Sequence, residues 1–129
     1  MANKNKGALS YASRKNPEIK HPEAPFDFIN LFEIAAADMD QFIADWQRRS
    51  KIMGQEAGFI SADLEKSLLK DHQYQIINVA HWQSYDAWVA ANNNPDYAKK
   101  LASDLGGTAN VVVHRGFFRP VASYTHLYD

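Results

Sequence analysis

An α+β domain with a single antiparallel sheet is the fold that three features of this chain predict. Two apolar runs, Phe28-Ile29-Asn30-Leu31-Phe32 and Ile76-Ile77-Asn78-Val79-Ala80, read as strands, and each carries one Asn among its hydrophobes. Between them, Met39, Phe42, Ile43, Trp46, Ser50 and Met53 fall at helical spacing and give one buried stripe. The elements then follow in the order β-α-β-β-α-β, which is the ferredoxin-like split βαβ arrangement: a four-stranded antiparallel sheet with the helices on one face.

Strand one is expected from Phe26 to Ala35, with Phe28, Asn30, Phe32 and Ile34 on one face and Ile29, Leu31 and Glu33 on the other. The first helix is expected to open on a capping-box-like pair, Asp38 with Gln41, and to end at Gly54 or Gly58. Its other side carries Asp40, Asp45, Arg48, Arg49 and Lys51 and reads as a solvated face. Strand two is expected from Phe59 to about Leu69, with Phe59, Ser61, Asp63 and Glu65 alternating against Ile60, Ala62 and Leu64. Lys70-Asp71-His72 is a turn, and strand three runs from Gln73 to Trp82. Ser84 is an N-cap for a short helix holding Tyr85, Trp88 and Val89. Asn94 caps a second short helix, with Pro95 at its first position and Tyr97 and Leu101 inside. Gly106-Gly107 stops that helix, and strand four spans Asn110 to Phe118.

The organisation is therefore a polar arm (residues 1–25), one domain (26–118) and a C-terminal extension (119–129) ending in Tyr124, Leu127 and Tyr128. The arm, expected to be ordered against a partner subunit, and the Tyr124 to Tyr128 segment are expected to cover the pocket or to lock a dimer. A chain of 129 residues suffices for one core. The sheet face of strands one and three away from the helices is also apolar (Ile29, Leu31, Ile77, Val79), and no further helix is available for it. A second sheet from an identical chain would cover it, which predicts a homodimeric α+β barrel.

Composition narrows the function. Cysteine is absent, which removes disulfides, thiolate nucleophiles and Cys-ligated metals. A net charge of -1 supplies no field that would recruit nucleic acid or an anionic membrane. No run approaches membrane-spanning length and the N-terminus shows no apolar signal core, so a cytoplasmic protein is expected. The spacing of His21, His72 and His126 matches no metal site.

Two strands with one amide each among hydrophobes point to a mostly apolar pocket with a few placed polar groups. A buried amide costs free energy unless its donors and acceptors are paired, so Asn30 and Asn78 need an explanation. The plain one is a satisfied backbone group at a bulge or an edge. The functional one is a pair of N–H donors aimed at an anionic oxygen. Trp82 reads either as core or as a flat wall with one donor. By alternation Tyr74, Ile76, Asn78, Ala80 and Trp82 share one face, while His81 falls on the other. On strand four, His114 is the remaining general-base candidate, since an imidazole titrates near neutrality.

Phe28-Ile29-Asn30-Leu31-Phe32-Glu33-Ile34, then Gly58-Phe59-Ile60, then Asn78-Val79-Ala80-His81-Trp82-Gln83-Ser84-Tyr85-Asp86-Ala87-Trp88, resembles the antibiotic biosynthesis monooxygenase family over roughly residues 26–118. The resemblance implies a dimeric ferredoxin-like barrel with one pocket per subunit between sheet and helices. Family enzymes that oxidise anthrone-type aromatics to quinones use neither metal nor flavin, and their pocket is similar at Asn30, Asn78 and Trp82, the catalytic candidates here. Trp88, Tyr74, His114 and Phe32 are the substrate-binding candidates. Another family member places a Tyr where Trp88 stands and an Arg further along that helix, where this chain has Lys99-Lys100-Leu101. The haem-degrading branch uses a strand-one Asn, a Trp like Trp88 and a later His. Asn30 and Trp88 fit, but Val89 through Leu101 contains no His.

Three functions follow. The first is cofactor-independent oxidation of a small reduced aromatic (anthrone or quinol type) by O2. The second is haem binding or degradation. The third is a non-catalytic module that holds a small aromatic.

Overall fold

The computed structural model describes residues 15–103 and 111–127, with the side chains of 100–103 left aside. The predicted Gly106-Gly107 stop, Asn110, Tyr128, the side chain of Leu101 and the first part of the arm lie outside the described residues.

Among the described residues seven elements follow one another: β1 (Phe26–Ile34), α1 (Ala36–Met53), β2 (Phe59–Lys66), β3 (Ile76–Trp82), α2 (Tyr85–Asn92), α3 (Pro95–Ser103) and β4 (Val111–Phe118). The strands form one antiparallel sheet in the order β2-β3-β1-β4. This is the predicted ferredoxin-like arrangement, with the Asn-bearing strands β1 and β3 side by side at its centre.

In β1 every second residue from Phe26 to Ile34 is buried and those between are half-buried, and β3 repeats the pattern from Ile76 to Trp82. The buried set meets the helices, as the contacts of Phe32 with Phe42 of α1 (4.7 Å) and Phe28 with Trp88 of α2 (4.8 Å) show. Helix packing on one face thus selects which half of each apolar strand becomes core.

Several expectations are corrected. α1 starts at Ala36 with Ala35 as N-cap and no side-chain capping bond, so Asp38 lies inside the first turn. Asp45, expected on the solvated face, is 1% exposed; it accepts from Gln41 Nε2 at 2.9 Å and pairs with Arg48. Burial of this carboxylate is tolerable because its lone pairs are occupied. In β2 a register shift falls between Phe59 and Ser61, so Phe59 lies across from Trp82 and packs on it at 5.3 Å, while Ile60 is thrown outward. A bulge adds one residue and reverses the parity beyond it. Phe59 therefore shares the helix-facing side with Ala62 and Leu64, not with Ser61.

Other signals act as read. Gly54 is the C-cap of α1, Ser84 Oγ accepts from Ala87 N at 3.0 Å, and Asn94 Oδ1 accepts from Asp96 N at 3.0 Å. Gly58 has φ +89°, and a Cβ there would stand 2.4 Å from that of Ala87. The Gly-Phe pair thus combines a left-handed backbone with close approach to α2.

The described part of the arm lies on its own chain. Tyr85 donates to the Pro17 carbonyl at 2.7 Å, Asp86 N to Pro22 O at 2.9 Å, and Ile19 packs against the aromatic core. From the other end, Arg119 donates to the carbonyls of Lys20 and His21. Beyond it, Val121, Tyr124 and Leu127 are exposed and carry no regular secondary structure.

Candidate functional site

The helix-facing side of the sheet holds two apolar cores. One gathers Phe26, Phe28, Ala80, Trp82, Tyr85, Trp88 and Ala91; the other gathers Phe32, Ile34, Met39, Phe42, Ile76 and Val111. A row of registered residues crosses the sheet between them: Leu64 beside Asn78, Asn78 beside Asn30, and Asn30 beside Arg115. The two amides predicted from sequence are therefore cross-strand neighbours, 2% (Asn30) and 7% (Asn78) exposed. Partners directly opposite on one face stand ~5 Å apart, close enough to address one ligand atom.

Asn78 Oδ1 accepts the indole N–H of Trp46 at 3.0 Å, from α1 across to β3. Ala62 pairs with Ala80 beside this contact, and these small side chains leave room for the indole to approach the sheet. Trp46 was expected as plain core; it is instead a polar contact to a candidate catalytic residue. It also borders a groove of about 250 Å³ between α1 and β2, whose floor is Ala62, Leu64 and Ile76 and whose rim includes Asp63 and Lys66. None of the residues proposed from sequence lines that groove, which adjoins the amide pair through Trp46 and through Leu64, the registered neighbour of Asn78.

Trp82 is 2% exposed, and its Nε1 is buried with no acceptor among the described residues. An indole nitrogen only donates, so a buried one without an acceptor forfeits ~1–3 kcal/mol. Trp82 lies on the same face of β3 as Asn78, with Ala80 between. The strand thus presents two donors flanking a methyl group.

The substrate-binding candidates separate. Trp88 is packed among Phe26, Phe28, Tyr85 and Phe117, and Phe32 against Phe42, so both are core walls on either side of the polar row. Tyr74 and His114 do not join them. Strand four places Val111, Val113, Arg115 and Phe117 toward the helices, and His114, opposite Leu31, on the far face. There its Nε2 lies 2.6 Å from Glu33 Oε2, and the Tyr74 ring stands edge-on to it at 5.4 Å. Tyr74 escapes the predicted alternation because β3 starts only at Ile76. Consecutive Gln75 and Ile76 are both buried, and Gln75 Nε2 folds back onto the carbonyls of Leu69, Lys70 and His72. His81 is on the far face as expected, with Nδ1 2.6 Å from Asp27 Oδ1.

Arg115 was missed, although the parity of β4 would have found it. Its guanidinium lies 5.1 Å from the Phe117 ring and donates to Lys15 O and Asn16 Oδ1 of the arm. The same charge acts on Tyr85. Burial pushes that phenol above its ordinary value, Arg115 partly offsets the rise, and Asp86 adds to it. The phenol O–H donates to the Pro17 carbonyl. Among the described residues no group of three or more His, Asp or Glu is placed to hold a metal ion, and no helix is long and apolar enough to cross a membrane.

The arrangement can bind an anionic oxygen on amide and indole donors between flat apolar walls. The family model of antibiotic biosynthesis monooxygenases matches residues 25–101, more than half of the chain. A putative monooxygenase of Shewanella loihica is 28% identical, with 78% of this chain and 97% of that one covered and a TM-score of 0.61. SnoaB, a cofactor-independent oxygenase of Streptomyces nogalater, is 21% identical, with 80% and 99% covered and a TM-score of 0.62. A haem-degrading protein of Mycobacterium tuberculosis is 20% identical, with 79% and 97% covered and a TM-score of 0.56. No curated protein sequence matches the chain.

Proposed function

The chain belongs to the antibiotic biosynthesis monooxygenase family, and from that membership we propose that it oxidises a small reduced aromatic of anthrone or quinol type with O2, without a cofactor. The observation that carries this reading is a set of buried polar groups on one face of the sheet: Asn78 beside Asn30, whose Oδ1 atom has no hydrogen-bond partner among the described residues, and the Trp82 indole N–H with no acceptor there. An unpaired acceptor atom and an unpaired donor on one face suit a hydroxylated substrate that becomes an anion.

Triplet dioxygen reacts slowly with closed-shell molecules. A substrate deprotonated to an enolate or phenolate hands one electron to O2. The resulting carbon radical and superoxide combine into a peroxide at the carbon. For an anthrone methylene, the peroxide anion takes up a proton in place of the one released at deprotonation and then loses water to leave the carbonyl, so that R2CH2 and O2 become R2CO and H2O. The protein's part is to stabilise the delocalised anion and to exclude water. The amides of Asn30 and Asn78 and the indole of Trp82 do the first as an oxyanion-hole-like donor set. The two aromatic cores do the second. Arg115, beside Asn30 in register, adds positive charge on the same side. His81 and His114 face away, so the acidity of the substrate itself drives deprotonation.

The active form is a homodimer. Ile29, Leu31, Ile77 and Val79 leave a half-buried apolar face on the side of the sheet away from the helices, suited to a second copy of that sheet. Light scattering reports its mass.

Oxygen uptake with an anthrone or dihydroquinone, by protein freed of metal and flavin, tests the reaction. Wild type consumes O2, and an Asn78→Ala, Trp82→Phe variant loses about 100-fold or more in rate, as removal of oxyanion donors does elsewhere. Binding of the aromatic without uptake leaves only a binding module, and a coloured complex on haem titration moves the function to haem.

A further inference from the structure

Trp46 reaches from α1 to the sheet and donates its indole N–H to the side chain of Asn78 at 3.0 Å. The chemistry of the donor settles which atom it meets. An indole nitrogen carries a hydrogen and accepts nothing, so its partner must be the amide oxygen and not the amide nitrogen. Asn78 is thereby held in one of its two flipped states, with Oδ1 on Trp46 and Nδ2 left as the donor for another partner. Trp46 borders the groove over β2, whereas Asn30 is the registered neighbour of Asn78 on the β1 side. On that side the Oδ1 atom of Asn30 is buried with no hydrogen-bond partner among the described residues, so a substrate oxygen bound between the two amides would meet the Nδ2 donor of Asn78. No described residue accepts from that Nδ2.

We propose that Trp46 is a positioning residue that locks Asn78 as a pure N–H donor and so makes the site selective for an anionic oxygen over a neutral hydroxyl. This rests on the functional reading above. Without the indole, Asn78 is free to turn its carbonyl into the site, where it would accept from a neutral phenol or enol and repel the anion. The same bond polarises the amide and strengthens its outward N–H groups. Sequence position conceals the role, because Trp46 sits on a helical stripe that otherwise reads as core.

The test is equilibrium binding of 4-nitrophenol across pH, since its neutral and anionic forms absorb differently. Wild type binds the phenolate more tightly than the phenol. Trp46→Phe, which keeps a ring but removes the N–H, loses about three- to tenfold in phenolate affinity, the worth of one hydrogen bond, with phenol affinity unchanged or raised. Equal loss for both forms would mean that Trp46 only packs, and overturns the proposal. No phenolate preference in wild type overturns it too. A phenolate preference that depends on Trp46, without oxygen uptake by any aromatic, leaves this inference standing and defeats only the oxygenase reading. Should Trp46→Phe not fold, exchange of the Trp46 indole proton decides by NMR. The bond protects it in wild type, Asn78→Ala removes the protection, and equal rates in the two refute the contact.

Discussion

Truncating Trp88 separates a core aromatic from a wall of an open site. Its side chain is 4% exposed, and its ring centroid lies 4.8 Å from that of Phe28, 5.6 Å from Phe117, 5.7 Å from Tyr85 and 5.8 Å from Phe26. A Trp so enclosed costs ~3–5 kcal/mol on truncation to Ala, because the transfer energy and the cavity add. Domains of this size have only ~5–15 kcal/mol in all. At roughly 4 °C per kcal/mol, Trp88→Ala lowers Tm by about 12–20 °C. Trp88→Phe keeps most ring contacts and costs ~1–2 kcal/mol. Urea titration followed by far-UV circular dichroism measures both, with unchanged slope as the check that the unfolded state is the same. If Trp88→Ala lost less than ~1 kcal/mol while binding of the aromatic collapsed, Trp88 would border open space, and the reasoning from burial would be refuted.

Gly58→Ala should cost ~2–5 kcal/mol, from the left-handed backbone at φ +89° together with the 2.4 Å approach to Ala87; a melting curve near wild type would show that the β2 entry relaxes freely. Ser84→Ala removes the cap on Ala87 N and should cost ~1 kcal/mol in the same assay. Tyr85 carries a pH signature. Its phenol titrates higher in the folded chain than in the unfolded one, so between ~10 and that higher value the folded state holds the extra proton. Stability is intact below pH ~10 and falls as pH rises through the folded value. Tyr85→Phe should flatten that alkaline decline and cost ~1 kcal/mol at neutral pH through the lost bond to Pro17; an unchanged alkaline slope would assign the decline to other groups.

Local chemistry made much of this protein legible. Alternation in Phe26–Ile34 and Ile76–Trp82 fixed both central strands, and helical spacing fixed α1. Ser84 and Asn94 set the starts of α2 and α3 because capping depends on neighbours a few residues away. The same periodicity put Asn30 and Asn78 on one face before any pairing was known. Tertiary structure decided what periodicity cannot carry. The bulge before Ser61 and the folded-back Gln75 each break parity, and so moved Phe59 toward the helices and Tyr74 away from the amides. Register brought Asn30, Asn78 and Arg115 into one row from three separate strands. Contact across the layers turned Trp46 from a core residue into the partner of Asn78, and buried Asp45 against Gln41 and Arg48. A residue's own neighbours along the chain determine its secondary structure and its face; which atom it meets on the facing element depends on how the layers settle, and that is not written at any single position.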